Sequence, residues 1–441
     1  MTLQRELVQQ LEESLSNEPQ KPFGLIVIDI FDFHEFVLDY GFNTVSDLID
    51  RVHSRLRALT NDWTENYLVG RSTFAVTLNE QDDPEQIAYR LLDYINRPYL
   101  VNGLIVNLKT SIGMALDPTY SLSSFDLLDN ACTATRHAEI DRFKSVYVFE
   151  PEMENHRVQH RKIRTDLRKA ISQISPHADH MFKTSSFEVV YQPKVDLSTR
   201  KLLGFEALLR WQHPIYGPVS PEIFIPICEE IGLINVLGGW VIQIACQDAS
   251  QWPLSSDQEH LSVAVNLSPA QLSDRDLLLT SISSAIESSR ISPETLEFEL
   301  TERDFHDTFH DVINEIKSLG CKLSIDDFGV KYSSLSRLKE VPFDSLKIDR
   351  SFIKDIGEDT PQPNRDRALW MLRNIALLGK SLRLKVIAEG VETEEQAMLA
   401  LGAGCSIMQG YLVSRPIKAA DVNQFISEYA NQHSGEHIYE P

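Results

Sequence analysis

From residue 187 onward, short apolar runs alternate with stretches whose apolar residues recur at helical spacing, which predicts strands alternating with helices in a parallel α/β architecture. Eight such runs stand in order: EVVYQPKVDL, LLGFEALLRW, LSVAVNLS, LEFELTE, KLSIDD, SLKID, LKVIAEG and CSIMQGYL. Ahead of them the pattern changes. GLIVIDIFDF (Gly24 to Phe33) reads as a buried strand. An amphipathic helix, a strand pair around Tyr67 to Leu78, a helix from Pro84, the strand LIVNLKTSIGMAL (Leu104 to Leu116), a helix from Phe125 and the strand SVYVFE (Ser145 to Glu150) then complete an α+β unit. Between the two blocks Ile163, Leu167, Ile171 and Ile174 form a helical stripe that Pro176 ends. At the N-terminus Leu3, Leu7, Leu11 and Leu15 recur at four-residue spacing, as on a helix with polar faces. The chain therefore divides into an N-terminal helix (1–21), an α+β domain (22–150), a connecting helix and loop (151–186) and an α/β domain (187–432).

The strands of the second domain carry polar residues at or near their ends. Gln192, Glu206, Arg210, Asn266, Glu299, Glu302, Asp326, Asp327, Lys347, Glu389 and Gln409 are spread over all eight runs. Ionised groups there cost stability unless paired, so their recurrence marks a candidate site, and parallel barrels keep their chemistry at the strand ends. The organising stretch is CKLSIDDFGVKYSSLSRLKEVPFDSLKIDRSFI (Cys321 to Ile353), in which a strand from Lys322 to Ile325 runs into the adjacent acids Asp326 and Asp327, and a strand from Ser345 to Ile348 carries Lys347. Neighbouring side chains of a strand point to opposite faces. The two acids can thus share a centre only where the strand ends and the backbone turns. Glu206, Asn266, Glu299, Asp326 and Asp327 offer only oxygen donors, which suits Mg²⁺ or Mn²⁺ rather than zinc. Adjacent aspartates can bridge two cations, and a two-metal site activates water for displacement at phosphorus, with Lys347 against the developing charge.

Composition narrows the function classes. The chain has 441 residues, 42% hydrophobic and 24% charged, which is ordinary for two globular domains. Its net charge of −22 argues against unassisted binding to duplex nucleic acid or an anionic membrane. No apolar run has the length of a membrane span, and the N-terminal MTLQRELVQQLEESL holds no apolar core of the length a signal peptide needs. Five scattered cysteines without C-x-x-C spacing read as reduced, buried thiols in a cytoplasmic protein.

The ordered series YQPKVDL, EALLRWQHP, VAVNLSPAQL, FELTE, IDDFG, LKIDRSFI, VIAEGVET and QGYLVSRP closely resembles the EAL domain of cyclic di-GMP phosphodiesterases from about Lys162 to Ile426, with the motif itself at Glu206-Ala207-Leu208. The resemblance implies a modified TIM (β/α)8 barrel and hydrolysis of cyclic di-GMP to linear pGpG. It also implies Glu206, Asn266, Glu299, Asp326 and Asp327 as metal ligands, Lys347 as the catalytic lysine, and Glu389 as an acid that completes the second metal's shell or poises the water. Gln192 and Arg210 become substrate contacts, Gln409 a site glutamine of open role, and Glu302 the anchor of the loop after the paired aspartates. A homodimer is expected from the same resemblance.

Pro22 to Glu150 resembles the GGDEF domain of diguanylate cyclases in degenerate form. The signature pentapeptide falls at Gly70-Arg71-Ser72-Thr73-Phe74, where both acids have become hydroxyl residues. The guanine-reading Asn falls at Val37, the Gly-Asp pair at Val45-Ser46, and the R-x-x-D inhibitory pair is absent at Asn61 to Thr64; Asp29 alone survives as a metal ligand. Cyclase activity is not expected, and the domain is expected to serve regulation, folding or dimerisation. The EAL half departs from its pattern in one loop, where D-D-F-G-T-G-Y-S becomes Asp326-Asp327-Phe328-Gly329-Val330-Lys331-Tyr332-Ser333. A Cβ at a position needing positive φ costs about 1 kcal/mol. Two further classes stand beside the enzyme: a catalytically silent cyclic di-GMP receptor signalling through a protein partner, and a scaffold that binds no nucleotide, against which Gln192, Arg210 and Lys347 speak.

Overall fold

The computed structural model describes residues 23–30, 33, 36–37, 41–60, 66–68, 72–79, 81–119, 121–140, 145–174, 186–254, 260–301, 309–329, 341–357 and 360–433. The N-terminal helix, Asn61 to Thr64, Gly70, Arg71, Glu302 and the Val330-Lys331 loop lie outside the described residues. The chain divides into two compact units, Met1–Lys162 and Ile163–Pro441.

In the first unit β1 (Gly24–Ile30), β2 (Asn66–Leu68), β3 (Thr73–Leu78), β6 (Thr110–Leu116) and β7 (Val146–Val148) form a sheet in the order β2-β3-β1-β6-β7. Alternation along β1 supplies both faces. Ile26, Ile28 and Ile30 enter one buried cluster, and Leu25 and Val27 enter another with Leu127, Leu128 and Ala131 of the helix Ser124–Ile140. The expected single strand from Leu104 to Leu116 is two. Asn102 and Gly103, with φ of 51° and 82°, turn β4 (Tyr99–Val101) back onto β5 (Leu104–Val106), and β6 begins afresh at Thr110. An Asn-Gly pair adopts the two positive φ values that a tight hairpin needs, which is why the chain folds back there.

The second unit is a closed ring of eight strands, β8 (Phe187–Asp196), β9 (Leu202–His213), β11 (Ser262–Asn266), β12 (Leu296–Thr301), β13 (Lys322–Phe328), β14 (Ser345–Ile348), β15 (Lys385–Glu389) and β16 (Ile407–Gln409). Short β10 (Gly217–Val219) and β17 (Ile417–Lys418) pair onto β9 and β8. Neighbours from β9 to β16 are parallel, but β8 is antiparallel to both β9 and β16. The expected modified (β/α)8 barrel is present, and its modification is a reversed first strand. Only Leu197 to Lys201 join β8 to β9, too short a connection for a helical crossover but enough for a hairpin. The ring's outer residues, among them Phe205, Phe298, Leu323 and Leu346, share one buried cluster with residues of the surrounding helices, such as Phe224, Ile282 and Ile313.

A second departure concerns Asp326 and Asp327. The strand does not end at Ile325 but continues to Phe328, and its register against β14 shifts between Ile325 and Phe328. Asp327 has φ of +52° within that irregularity. The bulge, rather than the strand's end, re-aims the second acid.

Among the described residues no helix is long and apolar enough to cross a membrane. None of the five cysteines is in a disulfide.

One glycine ties the barrel wall to the site. A Cβ on Gly204 would stand 2.2 Å from the backbone oxygen of Ser262, across the β9–β11 pairing that carries Glu206 and Asn266. Gly204→Ala is expected to lower stability by about 1–3 kcal/mol, the cost of overpacking a rigid contact, read as a lower urea midpoint with unchanged slope. A midpoint equal to that of the parent would show that β9 and β11 separate freely.

Candidate active site

Lys347 organises the interior of the barrel. It is 1% exposed, and β14 presents it to four carboxylates from four other strands. Its Nζ lies 2.6 Å from Glu299 Oε2, 2.7 Å from Glu389 Oε1, 3.1 Å from Asp326 Oδ1 and 3.4 Å from Glu206 Oε2. Burial works against a charge on Lys347, but Asp326, Glu206, Glu299 and Glu389 together outweigh it and hold its pKa well above the ordinary lysine value.

The four acids are not equivalent. Glu206 sits in the middle of β9 rather than at its end, because β9 runs on past the ring to pair with β10. Asn266 Nδ2 donates to Glu206 Oε1 at 2.8 Å, and Gln409 Nε2 donates to Glu206 Oε2 at 2.5 Å. Burial would raise Glu206, yet Lys347 and these two amides outweigh it and bring its pKa down to about 2. Glu299 shares the lysine but receives no such amide. Burial first, and then the charge of Glu206, push it well above the usual carboxylate range. Burial, joined by the charges of Asp326 and Glu206 and opposed by Lys347, raises Glu389 to about 8.

Two overlapping sets of oxygens follow. Ligand atoms of Glu206, Glu299 and Asp326 lie within 4.8 Å of one another, and so do those of Asp326, Asp327 and Glu389. Asp326 belongs to both. Glu299 Oε1 is buried and accepts no hydrogen bond among the described residues. Crowded carboxylates with an open buried oxygen fit hard divalent cations, and a shared carboxylate fits a pair of them.

Around this centre Gln192 Oε1 accepts from Gln409 Nε2 at 3.2 Å, which joins β8 to β16 above Glu206. Arg210 lies four residues beyond Glu206 on β9, on the same face. It is half-buried, with Nη1 donating to the Leu209 carbonyl at 2.9 Å. The structure therefore brings Glu206, Asn266, Glu299, Asp326, Asp327, Lys347, Glu389, Gln192 and Gln409 together, with Arg210 further along β9.

The sequence reading missed a lower layer. Lys194 of β8 is 3% exposed and Glu297 of β12 is 6% exposed; they form an ion pair at 2.5 Å. Ser345 Oγ donates to the other Glu297 oxygen at 2.6 Å. The signal was available in LEFELTE, where Glu297 and Glu299 are two apart and share one face of a strand.

In the first unit the position of the degenerate signature is also visible. Ser72 Oγ and Thr73 Oγ1 both donate to Asp29 Oδ1 at 2.9 Å. Both hydroxyls thus share one oxygen of Asp29.

Comparison with known proteins agrees with both halves. The EAL domain family matches residues 177–416, and the family described as diguanylate cyclase, GGDEF domain, matches residues 2–144. The chain is 34% identical to an uncharacterized signaling protein of Caulobacter vibrioides over 89% of this chain and 47% of that protein. It is 32% identical to the bifunctional diguanylate cyclase/cyclic di-GMP phosphodiesterase MucR of Pseudomonas aeruginosa, over 95% of this chain and 59% of that one. It is 30% identical to the cyclic di-GMP phosphodiesterase NbdA of the same organism, over 93% and 50%. The chain thus spans about half the length of these curated relatives. The solved complex of the PaMucR phosphodiesterase with c-di-GMP superposes with a TM-score of 0.52 at 34% identity, covering 59% of this chain and 99% of that one. The S helix-GGDEF-EAL structure of Vibrio cholerae LapD covers 93% of both chains with a TM-score of 0.60 at 16% identity, which speaks to the fold.

The raised Glu389 yields a pH dependence. Its folded pKa of about 8 lies above the ordinary 4.5, so between those values the folded protein holds a proton that the unfolded chain has lost. Stability from this group is present below 4.5 and declines as pH rises through about 8. The melting temperature of EDTA-treated protein is expected to fall across that window, and Glu389→Gln to flatten the fall. Profiles of equal slope would remove Glu389 as its source.

Proposed function

The chain belongs to the family of EAL-domain proteins that carry a GGDEF domain ahead of the barrel, and from that premise we propose that it hydrolyses cyclic di-GMP to linear pGpG with the help of Mg²⁺ or Mn²⁺. The observation that carries this reading is the cluster of Glu206, Glu299, Asp326 and Glu389 around one buried lysine, with an oxygen of Glu299 left open. An inert barrel interior would have no reason to keep so many carboxylates out of water, given what uncompensated burial costs.

In this reading Glu206, Asn266, Glu299, Asp326 and Asp327 hold the cations. Cations held there would supply Lewis acidity toward a water and a counter-charge for the phosphate. Lys347 fixes four carboxylates relative to one another and sets a positive charge beside the phosphorus that is attacked. Glu389 would complete the second cation's shell or poise the attacking water. Arg210 and Gln192 hold phosphate and base at the mouth of the barrel, and Gln409 keeps Glu206 aimed inward through its amide. Glu302 is proposed to anchor the loop after the aspartates.

The α+β half is proposed to be regulatory and catalytically silent as a cyclase. Asp29 Oδ1 accepts from both Ser72 and Thr73, and the two hydroxyl residues beside it bring no carboxylate that could help hold a pair of cations. Cytoplasmic action, a homodimer and a regulatory protein partner complete the proposal.

The test is turnover of cyclic di-GMP by the purified protein with Mg²⁺ and with Mn²⁺, followed by chromatography of the product. Linear pGpG is expected, and Glu206→Ala is expected to abolish it. Tight binding with no product in the parent protein would replace the enzyme by a receptor, and no binding at all by a scaffold.

A second assay addresses the other half. The protein incubated with GTP and Mg²⁺ is expected to form no cyclic di-GMP, with the Glu206→Ala background preventing loss of product. Accumulation there would show that hydroxyl residues can serve where the cyclase acids stood.

A further inference from the structure

Below the site, β12 places Glu297 and Glu299 two residues apart on one face, both buried in the barrel. Two carboxylates so close inside a protein repel and would turn away from each other. What lies between them is Lys194, which comes from β8, nearly opposite β12 in the ring. Its Nζ is 2.5 Å from Glu297 Oε2 and 3.7 Å from Glu299 Oε1. The ammonium group is thus bonded to the lower glutamate and stands off from the very oxygen of the upper one that accepts no hydrogen bond. Ser345, two residues before Lys347 on β14, holds the remaining oxygen of Glu297 at 2.6 Å. Lys347 reaches in from β14 and bonds Glu299 Oε2 at 2.6 Å, while Lys194 from β8 faces Oε1 from 3.7 Å without bonding it.

Resting on the functional reading above, we propose that Lys194, anchored by Glu297 and Ser345, is a positioning residue for the proposed reaction: it fixes Glu299 with Oε1 presented to the cations. It touches neither substrate nor reacting atoms and acts through Glu299 alone. A simple structural role is the competing account, in which Lys194 only neutralises the buried charge of Glu297.

Substitutions in the full-length protein separate the two. Lys194→Met alone leaves Glu297 as an unpaired buried charge and is expected to lower the melting temperature. Adding Glu297→Gln removes that charge, so the double variant is expected to regain the parent's melting temperature. If Lys194 positions Glu299, calorimetric titration of the EDTA-stripped double variant with Mn²⁺ will still show binding weakened by about 10- to 100-fold, the usual effect of losing a residue that orients a metal ligand. Its kcat for cyclic di-GMP is expected to fall with KM unchanged. Mn²⁺ affinity and kcat restored to parent values in the double variant would overturn the proposal. Should the double variant fail to fold, Ser345→Ala carries the test, since it loosens Glu297 without altering charge. It is expected to weaken Mn²⁺ binding severalfold, and parent affinity there would equally overturn the proposal. If the parent binds Mn²⁺ but hydrolyses no cyclic di-GMP, the functional reading falls while the titrations still decide the role of Lys194. A parent that binds no Mn²⁺ overturns both.

Discussion

Carboxylates inside a barrel need a counter-charge, and Lys347 is the counter-charge on which this interior depends. Remove it in thought and Glu206, Glu299, Asp326 and Glu389 face one another with nothing between them. Even with Lys347 and Lys194 in place, five inward carboxylates meet two ammonium groups, an excess of three negative charges. The protein responds in two ways. Glu206 is kept ionised by neutral amides as well as by the lysine, whereas Glu299 and Glu389 lack that help and have raised affinities for a proton. A divalent cation would relieve the same repulsion by displacing those protons, and Glu206 is already ionised to receive it.

The backbone makes that crowding feasible through two irregularities. The reversed β8 lets Lys194 and Gln192 enter from a wall that a regular barrel would fill with a parallel strand, and it sets Gln192 opposite Glu206 in the β8–β9 pairing. The bulge in β13 gives Asp327 a left-handed backbone conformation and brings its carboxylate near those of Asp326 and Glu389. A straight strand would have sent the two aspartates to opposite faces. Gly329, at φ +96°, leaves room for Phe352 and Ile375, whose atoms lie 2.9 and 3.1 Å from where a Cβ would stand. Local irregularity in the strands is therefore what turns a set of acids into one centre.

Much of this was legible in the sequence because polar residues interrupt otherwise apolar runs. Asp326, Asp327, Lys347, Asn266 and Glu389 stand out where each run ends. Glu206 was legible by the same contrast, though mid-strand, because a charge inside EALLRW has few structural excuses. Lys194 and Glu297 were not singled out, since each lies next to a more conspicuous neighbour and only three-dimensional proximity reveals that they pair. The break between β5 and β6 was hidden by an apolar run that continues on both sides of Lys109. The bulge was hidden for a different reason: register shifts arise from pairing with β14, which is remote in sequence from Asp327. Periodicity reports what a segment buries, whereas topology decides which buried groups meet.

The two halves of the chain handle the same electrostatic problem in opposite ways. Around Asp29 the neighbours are Ser72 and Thr73, whose hydroxyls donate to one of its oxygens and add no negative charge of their own. Such an arrangement carries no repulsion between adjacent acids for a cation to relieve. In the barrel, hydroxyls or amides at Glu299, Asp326 or Glu389 would have relieved the repulsion just as well, and Ser345 beside Glu297 shows that a hydroxyl fits at this depth. The acids are nonetheless present, and with them a cost in stability that rises with pH. A local arrangement that opposes folding is expected where function requires it. The contrast within one chain is between a lone carboxylate bonded to hydroxyls and a cluster of carboxylates whose mutual repulsion only protons or cations relieve.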